Sequence, residues 1–418
     1  PDPKQLLGPD GREPWWFETG HDWGGGVMYP HGIENRYVDW HLDEVWGPIE
    51  NLITASQWRQ FDALKYQIER MRSRRELAGY VITELTDVHW EANGLLDMRR
   101  HPRVFHHDLA RLNVDTLPVA RLERWSFWAG ERLTLPVTVA HAGPPLAAGV
   151  LRVTSTAGAA AFELAELKTG ASIEIEAVLD APAIDASRIE RIDIVVDRDG
   201  TEVARNWVDI AIHPPRTAPD DARTVWSSDL LIVKHLRNLG YALADDAAAA
   251  ELIVERSHDA TIANLVREGK SLLLVADTEM PLYPFFPHWQ NVAVEMREGT
   301  PWQGDWASSF SWLRRQGPFA KLPGASLLGL SFDRVIPIHV ISGCNRHDFQ
   351  SRVHAGLFVG WIHKPVALSV ERAYGSGRFL ATTFRLFRDA PLVDPTATLL
   401  LDALVEKAMG ARRAEAAA

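Results

Sequence analysis

Arg132-Leu133-Thr134-Leu135-Pro136-Val137-Thr138-Val139 places an apolar side chain at every second position, the period of a strand with one buried face. Pro136 breaks the pattern on the polar face and predicts an edge position, because proline has no amide hydrogen to give a ladder. The same alternation recurs downstream in Ile173, Ile175, Ala177 and Leu179, and again in Ile192, Ile194 and Val196. Asp199-Gly200 is a hairpin signal, and Val208, Ile210 and Ile212 form the returning strand. About seven short strands over the roughly 100 residues from Leu117 to Pro215 predict an immunoglobulin-like β-sandwich. Pro214-Pro215 and Thr217-Ala218-Pro219-Asp220-Asp221 then read as a linker.

Upstream the period changes. From Ala55 to Arg75, Trp58, Phe61, Leu64, Ile68 and Met71 recur at three- and four-residue steps, one apolar stripe of a helix. Arg70, Arg72, Arg74 and Arg75 gather where cations complement the helix dipole. Gly79 breaks this helix, and Tyr80-Val81-Ile82-Thr83 predicts a short β-branched strand. A helix followed by a buried strand is the building unit of an α/β barrel, but one strand cannot close a barrel of eight. Residues 1–50 are rich in Gly, Pro, His and Trp, and Gly24-Gly25-Gly26 followed by Tyr29-Pro30-His31-Gly32 reads as a long functional loop.

Downstream of Thr224 helices and strands alternate. Leu230 to Leu239 predicts a helix preceded by Ser227-Ser228 and stopped by Gly240. Leu252-Ile253-Val254 and Leu272-Leu273-Leu274-Val275-Ala276 read as buried parallel strands, with a helix from Ala260 to Val266 between them. Phe379 to Thr383 is a late strand and Thr396 to Ala408 a closing helix. This pattern predicts an open, doubly wound, flavodoxin-like α/β layer. Gly410 to Ala418 reads as a disordered tail, and no internal repeat is visible.

The 418 residues, at roughly 100–200 per domain, predict two to four domains with three as the central value. A formal charge of −11, from 44 basic and 55 acidic side chains, argues against non-specific nucleic-acid or anionic-membrane binding. No apolar run approaches the ~18–20 residues of a membrane-spanning helix. The single cysteine, Cys344, rules out an intramolecular disulfide and any multi-cysteine metal site. It is compatible with the cytosol and does not exclude a secreted bacterial protein.

Two features carry chemistry. Trp is over-used, 16 against 7 Tyr, and indole rings either pack in cores or stack on the faces of sugars and other flat ligands. The stretch Gly79–Asp97 sets Glu84, Asp87, His89, Trp90, Glu91 and Asn93 directly after the predicted strand. In α/β barrels the carboxyl ends of strands build the site. Carboxylates beside an indole suit a sugar, accepting hydroxyl hydrogen bonds while the ring supports an apolar face; the competing reading is a solvated rim. Ser342-Gly343-Cys344-Asn345-Arg346 lacks the Gly-x-Cys-x-Gly elbow of an amidotransferase nucleophile, so Cys344 reads as a packed thiol. His339, His347, His354 and His363 are too widely spaced for a local metal motif, and His106-His107 lacks an i, i+4 partner. Gly375-Ser376-Gly377 lies between two predicted strands and reads as a hairpin turn rather than a phosphate loop. The sequence implies no cofactor and no metal.

The run Glu13-Pro14-Trp15-Trp16-Phe17, then Gln57-Trp58 and Leu64-Lys65-Tyr66-Gln67-Ile68-Glu69, resembles the end of the catalytic barrel of glycoside hydrolase family 2. That family includes β-galactosidases, β-glucuronidases and β-mannosidases. Its members often carry Thr-Gln-Leu-Thr-Asp-Val-Glu-x-Glu-x-Asn-Gly-Leu on the last barrel strand, where this chain reads Thr83-Glu84-Leu85-Thr86-Asp87-Val88-His89-Trp90-Glu91-Ala92-Asn93-Gly94-Leu95. β-Sandwiches follow the barrel in that family, and Gly375–Leu386 resembles extra C-terminal α/β domains of some relatives. Two departures matter. Glu84 stands where the family pattern has an amide. The Asn-Glu pair of the acid and the Ser-Glu-Phe-Gly-like motif of the nucleophile are both missing. A retaining mechanism needs both carboxylates, so the resemblance implies that they lie upstream of Pro1.

The resulting expectation is a multidomain α/β plus all-β chain. Residues 1–113 would be the end of a TIM (β/α)8 barrel, 114–215 an immunoglobulin-like sandwich, 222–410 a flavodoxin-like domain and 411–418 a tail. Glu84, Asp87, Trp90, Trp16 and Trp23 would bind substrate, with no catalytic residue in this chain. The implied partners are a carbohydrate substrate and an N-terminal portion of the same enzyme, with no nucleic acid or membrane; a homo-oligomer is left open. The alternative is a non-catalytic carbohydrate-binding or assembly module.

Overall fold

The computed structural model describes residues 30–87, 93–156, 158–219, 224–298, 300, 309–359, 362 and 364–410. It is a multi-sheet α/β protein in which strands predominate. Two compact units divide it, one built mainly from Glu50–Pro215, the other from Gly32–Ile49, Arg216–Leu328 and the chain after Phe332. Among the described residues no helix is long and apolar enough to cross a membrane.

The described chain opens with helices α1 (Pro30–Asp39), α2 (Asp43–Trp46) and α3 (Ile49–Arg72). Of the expected long loop, residues 24–29 lie outside the described residues, and Pro30-His31-Gly32 instead begin α1, where proline fits the first turn because its missing amide is one that turn leaves unpaired. Trp40 meets Phe349 edge-on at 4.9 Å, and Trp46 meets Trp312 at 5.9 Å. These two tryptophans are packing residues of the second unit.

The first unit holds α3, α4 (His106–Ala110) and eight strands: β1 (Thr116–Ala120), β2 (Ser126–Trp128), β3 (Arg132–His141), β4 (Gly149–Ser155), β5 (Gly158–Leu164), β6 (Ser172–Asp180), β7 (Arg188–Arg198) and β8 (Thr201–His213). Three form the sheet β1-β3-β6 and five the sheet β2-β8-β7-β4-β5. The alternating residues of β3, Leu133, Leu135, Val137 and Val139, share one core with Ile192, Ile194 and Val196 of β7 and with Val208, Ile210 and Ile212 of β8. The β7–β8 hairpin turns through Asp199 and Gly200, whose φ values of 51° and 78° are those a two-residue type I′ turn requires.

Pro136 does not mark an edge. β3 is the central strand of its sheet. The β1 ladder stops at Ala120 opposite Val137, and the Pro136 carbonyl accepts from the Arg121 amide at 2.8 Å. A residue's amide and carbonyl point to the same side of an antiparallel strand, so the donor that Pro136 lacks falls where β1 has already ended.

Tyr80–Thr83 is also corrected: it forms no strand and has no ladder partner among the described residues. Tyr80 and Ile82 pack against the α3 cluster while Val81 is 92% exposed, so the period-two pattern reports one-sided burial rather than a sheet. The α3 stripe is rotated as well. Phe61 and Ile68 are buried with Phe105, Leu112, Leu117, Val119 and Trp207, but Trp58 is 38% exposed and Gln57 and Gln60 are buried in its place.

In the second unit the strands are β9 (Thr224–Trp226), β10 (Ala242–Leu243), β11 (Leu252–Glu255), β12 (Ser271–Val275), β13 (Met280–Pro281), β14 (Ala293–Met296), β15 (Ser309–Leu313), β16 (His339–Ser342), β17 (Val353–Val359), β18 (Lys364–Tyr374) and β19 (Gly377–Thr382). The helices are α5 (Leu230–Asn238), α6 (Ala260–Arg267), α7 (Arg346–Ser351) and α8 (Pro395–Met409). Strands β10-β9-β11-β12-β19 are parallel, and β18, β16, β14 and β13 extend the sheet antiparallel, with β17 and β15 off β18. The predicted buried strands and helices of this region are all present. The cap of α5 is Asp229 rather than Ser227 or Ser228: its side chain accepts from the Leu231 and Ile232 amides. Gly375-Ser376 is the turn of the β18–β19 hairpin. A Cβ on Gly377 would lie 2.0 Å from the Val266 carbonyl oxygen, so glycine there serves close packing on α6.

Candidate functional site

Residues 84–87 and 93–103 are fastened to each other and to α3 in a compact turn-like arrangement. The Leu95 amide donates to the Glu84 carbonyl, the Leu96 amide to the Leu85 carbonyl and the Asp87 amide to the Leu96 carbonyl, at 2.9–3.1 Å. From α3, Gln60 donates to the Asn93 carbonyl at 2.7 Å and Gln57 accepts from the Val104 amide at 3.0 Å. That contact explains why two amides occupy the buried face of α3.

Asp87 is the interior post of this turn. Both of its carboxylate oxygens lie 2.6 Å from Nη2 of Arg103, and Oδ1 accepts from the Gly94 amide at 2.8 Å. Burial pushes its pKa up, while Arg103 and the Gly94 amide pull it down. A Cβ on Gly94 would lie 2.5 Å from the Asp87 nitrogen, so only glycine admits this approach. Asp97 closes the next turn, accepting from the Arg99 and His101 amides and pairing with the His101 ring at 2.9 Å.

Of the residues expected to bind substrate, the structure brings Glu84 and Asp87 onto this one turn. Glu84 is half-buried, whereas Asp87 is buried in its ion pair. Trp16, Trp23 and Trp90 lie outside the described residues.

A second feature went unseen in the sequence. On the first unit, a cavity of about 320 Å³ is lined by Trp58, Asp62, Tyr66, Arg191, Trp207 and Asp209, among others. Trp207 stacks on Phe61, centroids 5.9 Å apart and 16° between planes. Arg191 pairs with Asp209 through two bonds of 2.9 and 3.0 Å. Lys65 pairs with Glu69, which also accepts from the buried Asn206 amide at 2.7 Å. Asp62 stands in the mouth, accessible to solvent yet crowded by protein. That crowding and the nearby Asp209 push its pKa up to about 6, against the pull of Arg59 and Lys65. Arg191 and Asp209 are direct cross-strand partners only because a register shift between Val196 and Asp197 moves the ladder by one residue; counted from the hairpin turn alone, Arg191 would face Val208.

In the second unit, the parallel strands run in chain order 2-1-3-4-5, so the switch point lies between β9 and β11, where such sheets place ligands. Here Glu255 fills it, accepting from the Ser228 amide and hydroxyl, while Arg256 bridges Asp229 at 3.2 Å and Asp277 at 2.8 Å. The donors a phosphate would need are taken. A cavity of about 630 Å³ beside Arg314 and His354 likewise has its cations paired, Arg314 with Glu44 at 2.7 Å and Lys407 with Glu371 at 3.2 Å. Burial and Asp348 push the Cys344 thiol up, the opposite of an activated nucleophile.

No protein-family model matches this chain, and no curated protein sequence matches it. Among solved structures, a β-D-mannosidase from Dictyoglomus thermophilum is similar at a TM-score of 0.32 and 15% identity, over 40% of this chain and 21% of the mannosidase. An alkylpurine DNA glycosylase from Pseudomonas fluorescens gives 0.19 and 15%, over 24% and 31%. A family 123 glycoside hydrolase from Clostridium perfringens gives 0.17 and 11%, over 32% and 33%. The chain thus covers well under two thirds of each of these proteins. TM-scores this low carry no argument about fold or activity.

Proposed function

We propose that this chain is the C-terminal portion of a retaining β-glycosidase resembling glycoside hydrolase family 2. Its nucleophile and acid are supplied by chain upstream of residue 1. Residues 1–113 then complete a TIM barrel, the eight-stranded region is an immunoglobulin-like sandwich, and the second unit is a flavodoxin-like accessory domain. The observation that carries this reading is the family-like stretch Thr83–Leu95, of which residues 84, 85 and 87 are hydrogen-bonded to residues 95 and 96. In this reading Glu84 accepts hydroxyl hydrogen bonds from the bound sugar, Trp90, Trp16 and Trp23 wall the pocket, and Asp87 holds the turn in shape through Arg103.

Acid–base and nucleophilic steps at an anomeric carbon need two carboxylates about 5–5.5 Å apart, which this chain does not assign. The test is hydrolysis of aryl β-glycosides by the chain alone and by the chain joined to its upstream coding sequence. Turnover only in the joined protein supports the reading; turnover by the isolated chain overturns it. One observation favours the alternative of a non-catalytic carbohydrate-binding or assembly module: Arg103 occupies both Asp87 oxygens, which commits that carboxylate to holding the chain in place rather than to a ligand. An upstream sequence without the acid and nucleophile motifs would establish that alternative.

A further inference from the structure

We propose that the cavity beside Trp58 and Asp62 on the first unit binds a small organic ammonium ion. This site is independent of the glycosidase reading. Its volume of about 320 Å³ is at the lower end of the ~300–1,000 Å³ typical of small-molecule pockets. The ionic groups lining it are four acids, Asp62, Glu69, Asp108 and Asp209, against two bases, Lys65 and Arg191. The acids are not equally engaged. Glu69 pairs with Lys65, Asp209 with Arg191, and Asp108 with Arg111 at 3.5 Å. Asp62 has no hydrogen bond or ion pair among the described residues, and it stands in the mouth. Arg111 and Arg59 add positive charge around these acids, so the charge left to complete is that of Asp62, which a cation beside it would pair.

The aromatic lining selects the same charge. The pocket already holds cations over an indole face: Lys65 Nζ lies 5.2 Å and Arg191 Cζ 4.9 Å from the Trp207 ring centroid. Trp58, which meets Phe61 edge-on at 5.7 Å, keeps 38% of its surface exposed beside Asp62. A positive group between this ring and the carboxylate would gain a cation–π contact and a charge-assisted partner together. A neutral sugar would gain only the ring face and a hydrogen bond.

The experiment is isothermal titration calorimetry of the full chain with choline, with its neutral isostere 3,3-dimethylbutan-1-ol, and with cellobiose. The expected result is saturable choline binding, with the isostere and cellobiose each at least 10-fold weaker. Trp58→Ala and Asp62→Asn should each weaken choline at least 10-fold. Both side chains are solvent-accessible, and an unchanged thermal midpoint verifies that each variant is folded. Equal binding of choline and the isostere, tighter binding of cellobiose, no saturable binding of choline, or choline binding unchanged in folded Asp62→Asn would each overturn the proposal.

Discussion

Arg103 Nη2 lies 2.6 Å from each carboxylate oxygen of Asp87, and the two side chains are only 1% and 2% exposed. A pair this deep is paid for by desolvation on both sides, so its removal is asymmetric. Asp87→Asn leaves a buried guanidinium without its counter-charge and should destabilise the first unit by about 3–5 kcal/mol. Replacing both partners, as in Asp87→Leu with Arg103→Met, should cost much less. Urea denaturation followed by circular dichroism separates the two; equal losses would show that the charge pairing is not the cause.

Gly94 is bound to the same pair by space. Alanine there would place Cβ against the Asp87 backbone nitrogen and the Leu96 carbonyl oxygen, at 2.5 and 2.7 Å. Neither backbone atom can swing away as a flexible side chain would. Gly94→Ala should lower stability by about 2–3 kcal/mol, whereas Gly158→Ala, with open space around its Cβ, should change it little. Thermal midpoints of the two variants decide this.

His213 gives the first unit an acid sensitivity. It is fully buried at the end of β8, and burial lowers its pKa to about 4, against about 6.5 in an unfolded chain. Between those values the unfolded state binds the proton and the folded state does not, so stability falls as pH drops from 6.5 towards 4 and is unaffected by this group below that. The loss at pH 5 relative to pH 7.5 is about 2 kcal/mol. His213→Gln should flatten that part of the stability–pH curve, measured as urea midpoints from pH 7.5 to 5. An unchanged slope would mean that His213 is not the sensor.

Glu84 is the residue on which the glycosidase reading turns. In the protein joined to its upstream sequence, Glu84→Gln removes the charge from its hydrogen bonds to substrate. The expected cost is about 10- to 100-fold in kcat/KM, with the thermal midpoint held. A variant with wild-type kinetics would remove Glu84 from the sugar pocket.

Much of the architecture was legible because it depends on neighbours in sequence. The alternation in β3, β7 and β8 reports one buried face per strand, and Asp199-Gly200 supplies the two positive φ values of its hairpin within two residues. Helices α5, α6 and α8 were legible for the same reason, α5 ending at the local signal Gly240, whereas α1, α2 and α7 were not. Where reading failed, a distant partner decided. Tyr80–Thr83 has the strand pattern but no adjoining strand among the described residues, and Pro136 sits in a central strand because β1 stops one residue short of it.

The site divides along the same line. By itself the sequence determined that Glu84, Asp87 and Gly94 lie within eleven consecutive positions. Only the tertiary structure decided what each does there: Arg103, sixteen residues on, enters the turn and occupies Asp87, while Glu84 remains half-buried. It likewise brought Asp62 of α3 beside Asp209 of β8. The physical reason is range. Helix and strand periods arise from a few consecutive dihedrals, but charge pairing and cavity shape depend on segments far apart in the chain, whose meeting no local pattern encodes.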